Sequence, residues 1–560
     1  MSRMPVPLRL FLAGLLIAGL ASFLTDLPVA GGVLACAAWL CLIGAFAGMR
    51  RERRRAVAPP AAAAWAVWSD AADLTRPGSL LLGLWPSSRA PLYLDEEQAS
   101  AHVLLLGPSR TGKTAGIIAP NVLLRDPSRE SIVVLDVKTG PRSLWNVTAG
   151  RYGTRAHLFC PLFDRSIRYN PLHRVETIGD AQRVAALLVH NTTPRDLSGD
   201  AQVYASAAAD LAALLFLHVQ RDRPVGGHTV GAVYRILLGG AGAVRAALAG
   251  SPLAAVRERA GVFAARERRV RDAAVTGLLQ RLAAWGDPAV DEATTGHWDP
   301  GELGRTPTAL FVLLPEPEAA RLQPLVAWFI ADVLDTLIEQ ADRGERRCPV
   351  RVYLDEFRRF GYLAGLSDRL PTLRERGVSV LLGAQVLSQI EEVYGAREAR
   401  TLIANTETKI VFRAGDLDTA RVVSAWLGQT TVPVISRTLG LGGARTTVHP
   451  HVRPLALPDD IVRIPDGMVF VLAGARRPMA LRQARYFDSA GSALLTVPTP
   501  PPFGLRVCPG PSIVSGIVPA AAASSERGFR GGAVRHRRPA PRPHGGVSVP
   551  AAPSQPPAGA

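Results

Sequence analysis

The sequence predicts an α/β protein, a parallel β-sheet covered by helices and interrupted by an all-α insertion. Three observations carry this. Short apolar runs recur at 103–106, 131–137, 309–314, 350–354, 378–382, 409–412 and 468–472, with helix-like stretches such as 318–343 between them. Strands alternating with helices make a parallel, doubly covered sheet. Between 177 and 298 the strands stop, and Ala/Leu/Arg stretches of helical spacing replace them at 181–190, 201–220, 231–249 and 254–285. The first apolar run also leads directly into a glycine-bounded loop, and a stretch able to open a helix follows it.

That loop reads Gly107-Pro108-Ser109-Arg110-Thr111-Gly112-Lys113-Thr114. Its spacing, G-x-x-x-x-G-K-T between strand and helix, is that of a loop whose backbone N–H groups turn inward around phosphate oxygens. The helix N-terminus adds its partial positive charge. Lys113 is expected to reach the β- and γ-phosphates of a nucleoside triphosphate, and the Thr114 hydroxyl to help hold Mg²⁺. Composition supports the lysine. Of 64 basic residues only Lys113, Lys138 and Lys409 are lysine. A phosphate loop needs a compact ammonium on a flexible stem where most cationic positions accept a fork-shaped guanidinium.

The run at 350–354 ends in Asp355 and Glu356, so a strand delivers two carboxylates at its C-terminal tip. Ligands of open α/β sheets sit outside that edge. Asp355 is expected to orient Mg²⁺ through water and Glu356 to polarise the attacking water. The next strand ends at Gln385, whose neutral amide could hold that water or sense the γ-phosphate.

Outside the sheet, residues 10–24 and 27–49 are uncharged apolar runs separated by Thr25 and Asp26. About 20 residues span a bilayer core. Arg3 and Arg9 precede the pair, and Arg50, Arg51, Arg53, Arg54 and Arg55 follow it. The pattern reads as a transmembrane hairpin over 1–55 with both ends in the cytoplasm. A cleavable signal peptide is the rival, but it would still leave the second run as an anchor and would put a triphosphate site outside the cell. Residues 56–90, rich in Ala, Pro and Ser, read as a juxtamembrane linker. The nucleotide-binding domain then occupies 91–176 and 299–490, split by the insertion at 177–298. Residues 491–560 form a basic Pro/Ala/Arg-rich tail with the composition of a disordered segment. The net charge of +17 suggests nucleic acid or an anionic membrane as partner. The arginines of 257–272 could touch DNA or form a solvated face of i,i+4 pairs. The five cysteines show no ligand spacing, and no zinc site is expected.

Taken together, H-V-L-L-L-G-P-S-R-T-G-K-T, the D-x-K element at 136–138, L-D-E-F-R-R-F-G-Y-L and R-E-R-G-V-S-V-L-L-G-A-Q-V-L-S-Q-I-E-E-V-Y-G resemble the type IV secretion coupling proteins, the TraG/TraD group of conjugative DNA-transfer ATPases. The similarity extends through A-N-T-E-T-K-I-V-F and R-P-L-A-L-P-D-D-I-V-R-I-P-D-G, over roughly 91–486. The resemblance implies a RecA-like motor domain, an inserted all-α domain facing the cytoplasm, and a homo-hexameric ring anchored in the inner membrane. It implies ATP hydrolysis coupled to delivery of relaxase-bound single-stranded DNA to the channel components of a secretion system. It also implies an arginine donated from the neighbouring subunit, for which Arg374 is the candidate and Arg376 the alternative. Where the family often reads D-P-K-G-E, this chain has Asp136-Val-Lys-Thr-Gly140, which weakens a role for Lys138. Two other functions stay open: an FtsK-like pump for double-stranded DNA, and a docking receptor that uses nucleotide only to hold its shape.

Overall fold

The computed structural model describes residues 63–193, 199–222, 228–440 and 443–488. The predicted transmembrane hairpin at 1–55 and the tail at 491–560 lie outside the described residues. Among the described residues thirteen strands are formed: β1 (Leu80–Leu84), β2 (Pro91–Leu94), β3 (Val103–Leu106), β4 (Ser131–Asp136), β5 (Ala156–Phe159), β6 (Ala309–Leu313), β7 (Val350–Leu354), β8 (Val378–Ala384), β9 (Thr408–Val411), β10 (Gln429–Gly440), β11 (Gly443–Pro454), β12 (Met468–Ala473) and β13 (Met479–Arg482).

Eleven of them build one sheet in the order β2-β1-β13-β12-β9-β3-β8-β7-β4-β6-β5. From β9 to β5 every neighbouring pair is parallel. The central strands β3, β4, β6, β7 and β8 are buried at every residue, as their unbroken apolar runs require when helices cover both faces. The remaining side of the sheet departs from the parallel expectation: β12, β13, β1 and β2 pair antiparallel. The reason lies in the connections. The turn between β12 and β13 is too short for the crossover that parallel strands need.

The stretch 56–90, expected as a linker, supplies β1 from its C-terminal part, and β1 is wholly buried. The Leu-Leu-Leu-Gly-Leu run has the composition of a core strand, and the Pro and Ser around it hide that. Asn121, buried in the helix Ala119–Leu123 that follows the phosphate loop, accepts from Leu81 N–H (2.8 Å) and donates to Leu81 C=O (2.9 Å). Both groups lie where the β1–β2 register shifts, between Leu81 and Gly83, so a side chain satisfies backbone that the ladder leaves free.

The insertion is helical, as predicted. Helices run over Ile178–Thr192, Asp200–Asp222, Val230–Leu238, Gly240–Ala249, Ala254–Ala264 and Arg268–Arg281. Thr177 and Asp180 close the first with a capping box. The runs read as continuous over 231–249 and 254–285 each break. The first breaks where Gly240 takes φ +70°. The second breaks ahead of Glu267, the extended N-cap of the next helix. The arginines at this break are partnered within the chain: Arg266 with Asp210, Arg268 with Asp272 and Arg269 with Asp200. By length and composition, Asp200–Arg221 is the one described helix able to cross a bilayer, and 61% of its apolar window is buried. Leu211, Leu215 and Phe216 are fully enclosed, so it forms the centre of the insertion.

The insertion is joined to the sheet through Ala319–Asp342. Trp328 of this helix stacks on Phe216 of the insertion at 5.6 Å between centroids, and its neighbour Phe329 meets Phe159 of β5 at 4.2 Å. Tyr169 donates to the buried Asp332 on the same helix at 2.7 Å.

Candidate active site

The phosphate loop leaves the C-terminal end of β3, and β3 lies between β8 and β9 with β7 next beyond β8. All of these strands are parallel, so their C-terminal ends, and the residues just past them, share one edge of the sheet. That topology brings residues 107–114, 355–356 and 385 together although up to 278 positions separate them (385 − 107 = 278).

Within the loop Gly112 adopts φ +100°, a conformation that favours glycine, and the chain then enters the helical turn Lys113–Ile118. The Lys113 ammonium is buried and donates to the Gly107 carbonyl and to the Pro108 carbonyl (3.1 Å). Burial pulls its pKa below the ordinary lysine value, while Asp355 and Glu356 oppose that pull. The Thr114 hydroxyl donates to Asp355 Oδ2 at 2.5 Å. Lys138 Nζ lies 3.0 Å from Thr114 Oγ1 and 3.4 Å from Asp355 Oδ2. Glu356 sits at the rim, its side chain 17% exposed, with a left-handed backbone (φ 55°, ψ 50°). Such a conformation costs a non-glycine residue about 1–3 kcal/mol and concentrates where function fixes a side chain. Gln385 donates from Nε2 to Ser109 Oγ at 3.2 Å, tying the end of β8 to the loop.

Asp136, at the tip of β4, is fully buried and accepts from the N–H groups of Lys138 (3.0 Å) and Leu144 (2.8 Å). Desolvation, with the nearby Asp355 charge adding to it, raises its pKa to about 6. These two bonds shape the turn that carries Lys138 into the site.

Lys113, Thr114, Lys138, Asp355 and Glu356 line a cleft of about 720 Å³. Asp355 Oδ1 is buried in it without a hydrogen-bond partner, while Oδ2 is shared with the Thr114 hydroxyl. An unsatisfied carboxylate oxygen beside a hydroxyl is the oxygen-rich donor set that Mg²⁺ takes when it is held partly by triphosphate oxygens. Thr114 and Asp355 therefore fit the metal, and Lys113 with the amides of 107–114 fits the phosphates.

Sequence reasoning discounted Lys138 and missed the far wall. Arg142 and residues Arg485, Tyr486 and Phe487, just past β13, line the cleft. Gln483 donates to the Thr111 carbonyl (2.9 Å) and accepts from Arg485 Nε (3.0 Å). Tyr486 N–H bonds the Ala115 carbonyl at 3.2 Å. Rarity marked Lys138, since two of the three lysines meet in this site. Nothing local marked Gln483. Arg374 is not brought to the cleft. It pairs with Glu407 at 3.3 Å, both about half exposed, beside His102 at the N-terminal edge of the sheet. Arg376 pairs with Asp342 at 2.7 Å.

Comparison with known proteins agrees with this architecture. The profile of the family described as "Type IV secretory system Conjugative DNA transfer" matches residues 76–508. VirD4 of Agrobacterium fabrum is 24% identical over 422 residues, covering 69% of this chain and 59% of VirD4, so the chain spans well under two thirds of that relative. TraG of Escherichia coli is 24% identical over 474 residues, covering 75% of this chain and 72% of TraG. Among solved structures, the conjugative coupling protein TrwBΔN70 superimposes with a TM-score of 0.60 at 19% identity, covering 75% of this chain and 92% of that one. TrwB in complex with ADP and Mg²⁺ gives 0.59 at 20%, covering 78% and 97%. The shared fold is the RecA-like P-loop fold.

Proposed function

This chain belongs to the type IV secretory system conjugative DNA transfer family, and from that premise we propose that it is a membrane-anchored ATPase that drives relaxase-bound single-stranded DNA into a type IV secretion channel. The observation that carries the reading is the convergence of Lys113, Thr114, Asp355 and Glu356 on one cleft at the C-terminal edge of the sheet, with Gln385 bonded to Ser109 of its loop.

In this reading the amides of the loop and the Lys113 ammonium bind the β- and γ-phosphates of ATP. Thr114 and Asp355 hold Mg²⁺, which offsets phosphate charge when bound. Glu356 accepts the proton of the attacking water, and its fixed left-handed backbone keeps the carboxylate at the cleft rim. Gln385 orients the same water and, through Ser109, couples the state of the γ-phosphate to β8. Lys138 balances the Asp355 charge. Arg374, at the opposite edge of its own sheet, serves a neighbouring subunit of a homo-hexameric ring in the same reading. The apolar runs at 10–24 and 27–49 anchor the ring in the inner membrane with the ATPase domain in the cytoplasm. Relatives named for conjugal transfer support DNA as cargo.

The test is ATP turnover of the detergent-solubilised chain with and without DNA. Single-stranded DNA is expected to stimulate hydrolysis, and Lys113→Ala or Glu356→Gln to abolish it. Hydrolysis stimulated by duplex DNA alone would replace this function with a double-strand pump. The absence of turnover under every DNA and lipid condition would leave only a docking receptor.

A further inference from the structure

Strands β10 and β11 stand apart from the main sheet. Among the described residues they pair only with each other, in unbroken register from Gln429↔Pro454 to Gly440↔Gly443. They meet the rest of the described chain at the helix Leu417–Leu427 and through the bond from Ala63 N–H to Gln429 C=O (2.8 Å). A lone two-stranded ribbon is marginal in water and is retained where it meets a partner.

The mode of contact can be narrowed. Pro433 lies directly opposite Pro450. The ladder tolerates this pair only where both amides would point outward, so each free edge lacks a donor at that point and strand addition is disfavoured. Contact through a face remains. Cross-strand partners share a face, which places His449, His451 and Arg453 in one row, opposite Val434, Val432 and Thr430. All three members of the row are exposed. Their stride is roughly 6.6 Å, two residues of extended chain. Residues 429–454 contain three arginines, two histidines and no Asp or Glu, in a chain with 47 acidic residues. They also contain no Phe, Tyr or Trp.

We propose that the β10–β11 ribbon is an arm that tracks a nucleic-acid backbone, with the His449–His451–Arg453 row lying along its phosphates. The proposal rests on the DNA-handling function above and assigns a contact surface to it. Contact of this kind is indifferent to sequence and sensitive to salt.

The test is fluorescence anisotropy of the full chain in detergent, titrated against labelled oligonucleotides, single-stranded and duplex separately, over a series of salt concentrations. The triple variant His449→Ala, His451→Ala, Arg453→Ala should weaken binding of whichever form the wild type prefers by about 5–10-fold. It should also flatten the slope of log K against log salt by about 1, with basal ATP turnover unchanged. A variant of the opposite face, Ile435→Ser with Val452→Ser, should retain wild-type affinity and slope. Unchanged affinity and slope in the triple variant would overturn the proposal while leaving the function intact. Loss of DNA binding and of assembled size in the Ile435/Val452 variant alone would make the arm a contact between copies and overturn the proposal equally. A wild-type chain that binds no DNA would overturn the function itself.

Discussion

The phosphate loop owes its shape to a residue 372 positions away, and a double-mutant cycle measures how much. A methyl group placed on Gly116 would sit 2.8 Å from Gln483 Oε1 and 3.0 Å from Gln483 Cβ. The amide has to swing aside. Doing so breaks its bond to the Thr111 carbonyl (2.9 Å) and its bond from Arg485 (3.0 Å). Gln483 is only 7% exposed, so water does not replace the first bond, and an unpartnered buried carbonyl costs about 1–3 kcal/mol. Alanine returns roughly 0.5–1 kcal/mol of helix preference. The net, about 1–2 kcal/mol, acts against the left-handed Gly112 conformation that the loop needs to bind phosphate. If that conformation becomes a minor state, apparent affinity falls in proportion, by about 5–30-fold. Titration with a fluorescent ATP analogue on wild type, Gly116→Ala, Gln483→Ala and the double variant reads this directly. With the amide already gone, the methyl group meets only the Cβ contact, and the double variant should be better than additive by about 1 kcal/mol. Strictly additive penalties would refute the claim that Gln483 buttresses the loop.

Three further outcomes are expected. Asp355→Asn removes the carboxylate that Thr114 and Lys138 share and should cut turnover by about 10–100-fold while making nucleotide affinity insensitive to Mg²⁺; retained Mg²⁺ dependence would remove Asp355 from the metal site. His102 is buried, with Nε2 2.6 Å from Leu370 C=O and Nδ1 accepting from Val380 N–H (3.0 Å). Desolvation lowers its pKa from 6.5 to about 4. The folded state therefore disfavours the proton, so its contribution is complete above pH 6.5 and is lost as pH falls toward 4, by about 3 kcal/mol in all. Melting curves of wild type and His102→Gln across that window should converge at the acid end, and parallel curves would contradict the assignment. Finally, Glu130→Ala leaves the buried Arg125 without its carboxylate (3.2 Å), while Arg351 (3.4 Å) keeps Glu96, and should cost roughly 3 kcal/mol, read as a lowered melting temperature. A melting temperature unchanged by that substitution would mean that the Arg125 guanidinium is balanced elsewhere.

What the sequence makes legible follows from where the information sits. Each parallel strand of the core is buried on both faces, so its apolar run stands out without any knowledge of its neighbours. The phosphate loop and Asp355–Glu356 are likewise local, each a motif at a strand tip. The missing elements are those whose meaning is set by distant contacts. β13 is only four residues long and ends in an exposed arginine, and it becomes a strand because β12 and β1 flank it. β10 and β11 carry Pro433, Pro450 and Pro454, which count against a strand unless the pairing partner is known. Gln483 and Arg485 reach the cleft only because β13 returns antiparallel beside β12. Lys138 is the instructive intermediate case: its altered family motif counted against it, and its identity as one of three lysines, an argument applied only to Lys113, is the signal it shares with that residue.

The two bonds between Asn121 and Leu81 have a mechanical consequence. β1 is the described strand nearest in sequence to the apolar N-terminal runs, and the helix carrying Asn121 begins directly after the phosphate-loop turn. With both backbone groups of Leu81 committed to that amide, β1 cannot slip along the sheet by one residue without tearing a buried donor and acceptor apart. Force that reaches β1 is thus passed through a buried amide to the helix that follows the phosphate loop.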